Sequence, residues 1–181
     1  MGVRVGRRME PADLLTARLR LHPAHLADLD SLHALWVTPD VRRYLWDDQI
    51  ISRDLAAATL ESCITSFGQH GYGLWIVRRI ESSDAIGFCG LRSAVSDDPE
   101  LLYGLARLHW GQGLATEAAA AVVRHAFEAL DVERIRALTD VPNVASEAVM
   151  RRLGMTFEGR AQVNGIAVVT YALSRAQFRG R

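Results

Sequence analysis

The pattern of apolar and polar positions is clearest between Glu100 and Leu130. Glu100 to Leu108 is rich in leucine and predicts a strand, and a turn with two glycines follows at residues 110–116. In the next stretch the polar residues fall at offsets of 7, 11 and 14 and form one stripe, consisting of Glu117, Arg124, Glu128 and Asp131. Nearly all other residues there are Ala, Val, Leu or Phe. The pattern predicts a helix buried on most of its circumference, with the glycine turn at its N-terminus.

The N-terminal part of the chain predicts one strand followed by helices. Leu14 to Leu21 alternates around polar residues, as a strand does. Apolar residues at helical spacing then predict a helix from about Ala24 to Trp36 and a short helical segment from Val41 to Leu45. Ser52 is a candidate N-cap for a helix from Arg53 to about His70, whose end is marked by glycines.

The remainder of the chain combines strands with one more helix. Asn143 is expected to begin a helix that runs to about Leu153, with Gly154 as the residue that ends it. Asn164-Gly165 is typical of a type I′ hairpin turn. Strands are predicted at Gly73–Ile80, Ala85–Arg92, Glu133–Thr139, Met155–Arg160 and Ile166–Leu173. The order of elements indicates a single α/β domain with a mixed sheet over residues 1–181, of which about 1–13 form a loose basic tail.

Composition narrows the class of protein without naming an activity. The chain has 181 residues, 49% apolar and 23% charged, as in an ordinary soluble globular protein. Its formal net charge is zero, so no nucleic-acid or membrane partner is indicated, and no apolar run is long enough to span a bilayer. The histidines show no metal-binding pattern, and Cys63 and Cys89 are expected to be reduced core residues. We therefore expect a cytoplasmic protein without a metal.

The glycine turn before the buried helix carries the first chemical signal. Backbone N–H groups at a helix N-terminus lack intrahelical partners, and the helix dipole adds partial positive charge there. Gly111 and Gly113 would let a ligand approach this backbone without meeting a Cβ. Such a turn can bind phosphate oxygens, although glycines before a helix can also serve only to make a tight turn.

The turn resembles a known motif. The stretch from Trp110 through Gly113 to Thr116 and on to Ala118 resembles the coenzyme A pyrophosphate loop of the GCN5-related N-acetyltransferases. The resemblance is to the branch that includes ribosomal-protein alanine acetyltransferases. The superfamily pattern Q/R-x-x-G-x-G/A here reads Trp110-x-x-Gly113-x-Ala115, so the first position departs from it. A second segment, Asn143-x-x-Ser146 followed by residues 149–155, resembles the N-x-x-S…V-x-x-x-L-G-F motif of the same branch.

The resemblance covers roughly residues 14–175 and implies both a fold and a co-substrate. The implied sheet is mixed and mostly antiparallel, flanked by helices, and the central strand and Glu133–Thr139 form a parallel pair that splays apart. The implied co-substrate is acetyl-coenzyme A, with its pantetheine arm in the gap and its pyrophosphate on the turn. The implied binding residues are Leu105, Ala106, Arg107, Gly111, Gln112, Gly113, Leu114, Ala115, Thr116, Asn143 and Ser146.

The implied reaction is direct attack of a primary amine on the thioester, which needs no covalent intermediate. Glu100 is the candidate base, because it begins the central strand where this branch often has Glu. Many relatives have a Tyr as the acid at the position of Met150, so that role passes to Ser146 here. Interpretations without a catalytic role stay open. Glu100 can be an exposed residue after a turn, Asn143 can serve only to cap the helix, and Ser146 can be only a capping or solvated residue.

The resemblance implies that the acceptor is a primary amine, of a small molecule or of a protein N-terminus. The resemblance implies that the first helices build part of its pocket, and the candidate residues are Trp36, Tyr44, Trp46 and Asp47. Acidic side chains such as Asp47 and Asp48 would suit a cationic amine, although surface aspartates are common and the tryptophans could belong to the core. A homodimer is compatible with the sequence.

Two other classes of function compete with this interpretation. The glycines can be aligned with a dinucleotide-binding fingerprint as Gly111-x-Gly113-x-x-Thr116, with Asp140 as its acidic residue. Only about forty residues follow Asp140, which is too few for a second nucleotide-binding half and a catalytic domain. A non-catalytic protein that binds coenzyme A is the other alternative. A P-loop is excluded, since the chain contains no lysine.

Overall fold

The computed structural model describes residues 11–94 and 98–180. Most of the predicted basic tail, residues 1–10, lies outside the described residues, and so do positions 95–97 of the polar loop before the central strand. The helices are α1 (Leu29–Trp36), α2 (Pro39–Leu45), α3 (Arg53–His70), α4 (Leu114–Ala129), α5 (Val144–Arg152) and α6 (Arg175–Arg179). The strands are β1 (Leu14–Leu15), β2 (Leu19–Pro23), β3 (Leu74–Arg79), β4 (Ala85–Arg92), β5 (Glu100–Leu105), β6 (Arg134–Asp140), β7 (Thr156–Val163) and β8 (Ile166–Ser174).

The eight strands form one sheet in the order β1-β2-β3-β4-β5-β6-β8-β7. Every neighbouring pair is antiparallel except β5 and β6, which are parallel, so the expected mixed and mostly antiparallel sheet is confirmed. The parallel pair is in register at Glu100 and Arg136, where the Arg136 N–H donates to the Pro99 carbonyl at 2.9 Å. Among the described residues this is where the pairing of β5 with β6 stops, and the two strands diverge towards Leu105. This agrees with the expected splayed parallel pair.

Helices cover both faces of this sheet. Helices α1, α2 and α3 pack on one face, where the core contains Ile76 and Phe88. Helices α4 and α5 pack on the other face, where the core contains Leu101 and Leu105. Because side chains alternate along a strand, β5 presents its odd-numbered residues to α4 and α5 and its even-numbered residues to α1–α3. This alternation decides which side chains of β5 and β6 border each mouth of the gap.

Several predicted elements differ from the structure, and the strand predicted at Met155–Arg160, for example, runs to Val163. Leu14–Leu21 is not one strand: it folds into the β1–β2 hairpin, because the Thr16 hydroxyl accepts the Leu19 N–H at 2.9 Å and turns the chain. The central strand ends at Leu105 rather than Leu108, and a 3-10 turn follows in which Leu108 is 87% exposed. The first helix begins later than expected, since Leu26–Asp28 forms a 3-10 turn before α1.

The predicted helix ends and turn agree well with the structure. The Ser52 hydroxyl caps α3 by accepting the Leu55 N–H at 3.1 Å, and Asn143 caps α5. Both residues of the Asn164-Gly165 turn have positive φ, which a type I′ turn requires. The sequence analysis missed α6, a single short helix that starts with a capping box between Ser174 and Gln177.

Gly90 in β4 is expected to tolerate no side chain. A Cβ there would lie 2.8 Å from the Leu74 Cα and still closer to the Gly73 carbonyl oxygen of the paired strand, both backbone atoms. We expect Gly90→Ala to destabilise the protein by about 1–3 kcal/mol, as overpacking does. Gly68→Ala is the matched control: a Cβ in this position of α3 meets nothing within 4 Å and should stabilise by about 0.5–1 kcal/mol. Denaturant unfolding measures both, and equal effects of the two changes would contradict the prediction.

Candidate active site

A cavity of about 690 Å³ occupies the gap between β5 and β6. Its walls come from both sides of the sheet: α2 and Arg92 on one side, the start of α4 and helix α5 on the other. The predicted site residues that line it are Tyr44, Glu100, Leu105, Gly111, Gly113, Leu114, Ala115, Thr116, Asn143 and Ser146. The predicted residues Trp36, Trp46, Asp47, Ala106, Arg107 and Gln112 lie outside its lining. The gap is therefore a passage through the sheet that brings the two sequence motifs together.

The glycine turn forms one end of this cavity. Gly111 and Gly113 have φ values of +74° and +76°, a conformation that favours glycine, and Gly113 is the N-cap of α4. The first intrahelical bond runs from the Glu117 N–H to the Gly113 carbonyl at 3.0 Å, so the N–H groups of residues 114–116 precede it. A Cβ at Gly111 would meet nothing within 4 Å. The turn is therefore an open cradle of backbone donors at a positive helix end.

The side chain of Thr116 adds a donor to this cradle. Its Oγ1 is buried and has no hydrogen-bond partner among the described residues. A buried hydroxyl without a partner is costly, and a ligand oxygen at the helix end would satisfy it. The open glycines, the helix N-terminus and this hydroxyl fit the pyrophosphate that the sequence motif implies.

The β1–β2 hairpin braces the cradle from outside the motif. Arg18 donates to the Gln112 carbonyl at 3.0 Å and pairs with Glu117 at 2.6 Å, while the Thr16 hydroxyl donates to Glu117 at 2.6 Å. The Arg79 guanidinium adds a 3.3 Å bond to the Gln112 side chain. Burial alone would raise the pKa of Glu117, but the bonds from Thr16 and Arg18 outweigh it and lower that pKa. Gln112 therefore does not line the cavity, but its bonds to Arg18 and Arg79 hold the turn in place.

Trp110 replaces the usual Gln or Arg of the motif and ties the turn to the strand. Its indole N–H donates to the Leu105 carbonyl at 2.7 Å, and the Arg107 guanidinium lies 4.5 Å above its ring. The Ala106 N–H donates to Ile86 at 2.9 Å, which closes the β4–β5 ladder. By strand alternation the backbone of Tyr103 and the N–H of Leu105 then face the gap. Of the predicted segment 105–107, Ala106 is thus directed towards β4.

Ser146 faces the gap from the first turn of α5. Its N–H donates to the Asn143 side-chain oxygen at 3.3 Å, and the Asn143 amide in turn donates to Thr139 at 2.9 Å. Asn143 therefore caps the helix and lines the cavity at once. The phenol of Tyr103 lies 2.9 Å from the Ser146 hydroxyl. Sequence reasoning missed Tyr103 as a site residue, although its place in the central strand, three residues after Glu100, was a usable signal.

Glu100 reaches the cavity from the opposite face of the sheet. It is only 8% exposed, and Arg92 on β4 donates to its carboxylate through both Nε, at 3.0 Å, and a terminal nitrogen. These two bonds from the guanidinium fix the position of the carboxylate in the wall of the cavity.

The side of the cavity nearest α2 contains several acidic residues. Asp40 and Tyr44 on α2 and Asp140 at the end of β6 line it. Asp47 lies in a loop whose backbone is left-handed at two successive aspartates, and its charge acts on Asp140. Burial first, and then this neighbouring charge, raise the pKa of Asp140 above its ordinary value of 3.8. The sequence analysis did not place Asp40 and Asp140 in the wall of this cavity.

The predicted tryptophans lie behind this wall. Trp36 is 2% exposed and packs edge-on against Phe88 and Trp46, with ring centroids 6.0 Å and 5.7 Å away. They support the acceptor side through α1 and the loop that contains Asp47. A contact between either indole and an acceptor stays a prediction.

The cysteines are placed as core residues. Burial raises the pKa of both thiols, most strongly that of Cys89, so neither is a ready nucleophile. Among residues 11–94 and 98–180, no group of three or more histidine, cysteine or acidic residues is arranged to hold a metal ion. Within the same ranges no helix has the length and apolar character needed to cross a membrane.

Comparison with known proteins identifies the class to which this fold and cavity belong. Residues 18–156 match the family described as "Acetyltransferase (GNAT) domain". That range is more than two thirds of the chain, and the protein therefore belongs to the GNAT family of N-acetyltransferases. Membership settles the alternative left open by the glycine turn, since the glycines belong to an acetyltransferase and not to a dinucleotide-binding oxidoreductase.

Two curated relatives illustrate the match. An uncharacterized N-acetyltransferase p20 of Bacillus licheniformis is 28% identical over 179 residues, which cover 92% of this chain and 98% of that protein. The FsC-acetyl coenzyme A-N(2)-transacetylase of Aspergillus fumigatus is 30% identical over 155 residues, covering 79% of this chain and 64% of that protein. Both names describe acetyl-group or N-acetyl transfer, in agreement with the family.

Solved structures confirm the fold. An acetyltransferase from Agrobacterium tumefaciens superimposes with a TM-score of 0.80 at 23% identity, over 94% of this chain and 99% of that one. The RimL ribosomal L7/L12 alpha-N-protein acetyltransferase in complex with coenzyme A superimposes with a TM-score of 0.77 at 22% identity, over 90% and 98%. The resemblance to the ribosomal-protein acetyltransferase branch is thus confirmed at the level of the fold.

Glu117 should make the stability of the braced turn depend on pH. Its folded-state pKa is lowered from the ordinary value of 4.5, so its contribution is present above that value and is lost as the pH falls through the folded pKa. We expect Glu117→Gln to lower the unfolding free energy at neutral pH and to flatten its decline in acid. Urea unfolding between neutral pH and pH about 3 measures this. Glu61→Gln, at an exposed position of α3, is the control, and equal acid slopes for both variants would contradict the assignment.

Proposed function

We propose that this N-acetyltransferase uses acetyl-coenzyme A and transfers the acetyl group to a primary amine by direct attack on the thioester. The observation that carries the proposal is the cradle at the mouth of the cavity. Backbone donors of residues 111–116, a helix N-terminus and the Thr116 hydroxyl converge there on one side of the gap. That combination suits a pyrophosphate, and the gap leads from it past Ser146 towards Glu100.

The gap gives each substrate its own face of the sheet. The donor approaches from the side of α4 and α5, where the cradle, Asn143 and Ser146 lie. The amine approaches from the side of α2, where Tyr44, Asp40 and Asp140 lie. Backbone groups of Tyr103 and Leu105 in β5, and of Arg107 after it, are the proposed partners of the pantetheine arm, because β6 has turned away from this end of β5. The reacting atoms then meet inside the gap between the two strands.

In the proposed reaction the amine nitrogen attacks the thioester carbonyl, a C–N bond forms and the C–S bond breaks. The amine must be neutral to attack, while its unperturbed pKa lies near 10 if it resembles lysine. Glu100 is the proposed proton acceptor, through a water molecule, because it is the buried carboxylate at the end of the gap. The Ser146 hydroxyl is the proposed donor to the departing thiolate, since it opens the helix on the other side.

The acceptor is proposed to be a cationic amine, of a small molecule or of a protein N-terminus. Two lining aspartates, with Asp47 behind them, provide negative charge on the α2 side, while the charge of Arg92 is used by Glu100. Burial, and then the charge of Asp47, raise the pKa of Asp140, and an ammonium group near this carboxyl would favour its ionised form. A panel of amines assayed with acetyl-coenzyme A identifies the acceptor.

Gly113→Glu should abolish binding of coenzyme A. The change forces a side chain into a left-handed position and adds a negative charge where two phosphates are proposed to lie. Gly165→Glu is the matched control: it adds the same charge at a similar φ, +82°, in the open hairpin turn between β7 and β8. Calorimetry with folded proteins measures both affinities. Unchanged affinity of the Gly113 variant would refute the position of the pyrophosphate.

Glu100→Gln should lower turnover more than Ser146→Ala. Proton transfer by a positioned group contributes roughly 10²–10⁴-fold, whereas a thiolate is a good leaving group that water can also protonate. The Glu100 variant should also weaken the rise of rate with pH, and neither change should alter the affinity for acetyl-coenzyme A. Glu158→Gln, which removes another carboxylate paired with an arginine, is the control. If Glu100→Gln keeps the wild-type rate and pH profile, Glu100 is not the base.

A further inference from the structure

Tyr103 makes two contacts with one residue of the opposite wall. Its phenol oxygen lies 2.9 Å from the Ser146 hydroxyl and 3.0 Å from the Ser146 carbonyl oxygen. Tyr103 stands on β5 and Ser146 on α5, so these bonds cross the gap from strand to helix. Both residues line the cavity. The sequence motifs contain Ser146 but assign nothing to Tyr103.

Counting protons shows what this pair can do. A carbonyl oxygen only accepts, so the phenol proton points either to the Ser146 carbonyl or to the Ser146 hydroxyl oxygen. In the first arrangement the serine hydroxyl can donate its proton back to the phenol. In the second arrangement the phenol occupies an acceptor site of the serine oxygen, and the serine proton is directed away from Tyr103. The first arrangement therefore lets the serine proton turn to the phenol, whereas the second keeps it available to a group in the gap.

Tyr103 is suited to donate a hydrogen bond and not to give up its proton. Burial raises the pKa of its phenol well above the ordinary value of 10, and the bond with Ser146 offsets only part of this effect. A thiolate leaving group is less basic than such a phenolate, so proton transfer from Tyr103 to sulfur would be uphill. The phenol stays neutral and its O–H stays available to Ser146.

We propose that Tyr103 is a positioning residue that holds the Ser146 hydroxyl with its proton directed at the thiolate of departing coenzyme A. The inference rests on the proposed function, in which Ser146 is the donor to sulfur. No proton leaves Tyr103: its O–H donates to the serine oxygen, and the serine O–H donates to the sulfur. The polarised serine is a stronger donor than an isolated hydroxyl, because linked hydrogen bonds reinforce one another.

The pKa of the thiol of bound coenzyme A tests this directly. The ultraviolet absorbance of the thiolate, titrated in the complex with free coenzyme A, needs neither an acceptor nor turnover. We expect Tyr103→Phe and Ser146→Ala each to raise that pKa by about one unit, which corresponds to a tenfold change in the ionisation constant. His109 and Asp140 also line the cavity. Neither residue is changed in these variants, so their influence on the thiol pKa is the same in all of them.

Tyr171→Phe is the matched control for loss of a buried phenol hydroxyl. Tyr171 is 2% exposed and donates to Glu147 of the same helix, α5, at 2.6 Å, but it does not line this cavity. We expect it to lower thermal stability and to leave the thiol pKa unchanged. A ring-fluorinated tyrosine at position 103, a stronger donor of almost the same shape, should lower the thiol pKa and provides a test if Tyr103→Phe does not fold.

Turnover separates positioning from packing. With acetyl-coenzyme A and an accepted amine, Tyr103→Phe should lower kcat about tenfold and leave KM for acetyl-coenzyme A unchanged. The expected loss is that of about one hydrogen bond, because the serine no longer directs its proton at the charge that develops on sulfur. In the background of Ser146→Ala the same change should have almost no further effect, since the residue through which it acts is gone. Full additivity of the two changes would overturn the inference.

The possible results separate a failure of this inference from a failure of the proposed function. If coenzyme A does not bind, both fail together. If it binds and its thiol pKa is the same in the wild type and in the Tyr103 and Ser146 variants, the inference alone fails. If the thiol pKa shifts as expected but no amine is acetylated, the inference stands and the proposed reaction fails.

Discussion

The divergence of β5 from β6 is the constraint on which the site depends. Two parallel strands that meet at Glu100 and Arg136 and then separate leave a passage through the middle of a sheet. Because side chains alternate along each strand, β5 directs Tyr103 to the face of α5 and Glu100 to the face of α2. One short strand therefore contributes side chains to both openings of the passage. This arrangement leaves one opening for each of the two proposed substrates.

The cradle at one mouth depends on electrostatics that its own residues do not complete. Backbone donors at the start of α4 favour an anion, yet Glu117 places a carboxylate in the same first turn. Arg18 and Thr16 occupy that carboxylate, and Arg18 also holds the Gln112 carbonyl. The β1–β2 hairpin thus pairs a negative charge at the start of α4 with a positive one, and its bond to the Gln112 carbonyl holds the turn in place.

Glu100 and Ser146, the two polar residues proposed to take part in the reaction, each contact a partner that lies outside the sequence motifs. Arg92 pairs with Glu100, and Tyr103 contacts Ser146. A buried polar group without such a partner would cost free energy and could adopt several orientations. These contacts restrict the orientation of each group. For Asp140, in contrast, burial and the charge of Asp47 both raise the pKa.

The sequence by itself determined the order of elements, most of their ends and the glycine cradle, because periodicity, capping residues and turn dipeptides are local signals. It also indicated the family, since two motifs stand in the right elements. Only the tertiary structure decided that Leu14–Leu21 is a hairpin, that Tyr103 contacts Ser146 and that Asp140 lines the cavity. Each of these depends on partners far away in the chain, such as Glu117 for Thr16 and α5 for Tyr103. No local pattern encodes such a contact, because it exists only once the strands have paired and the gap has opened.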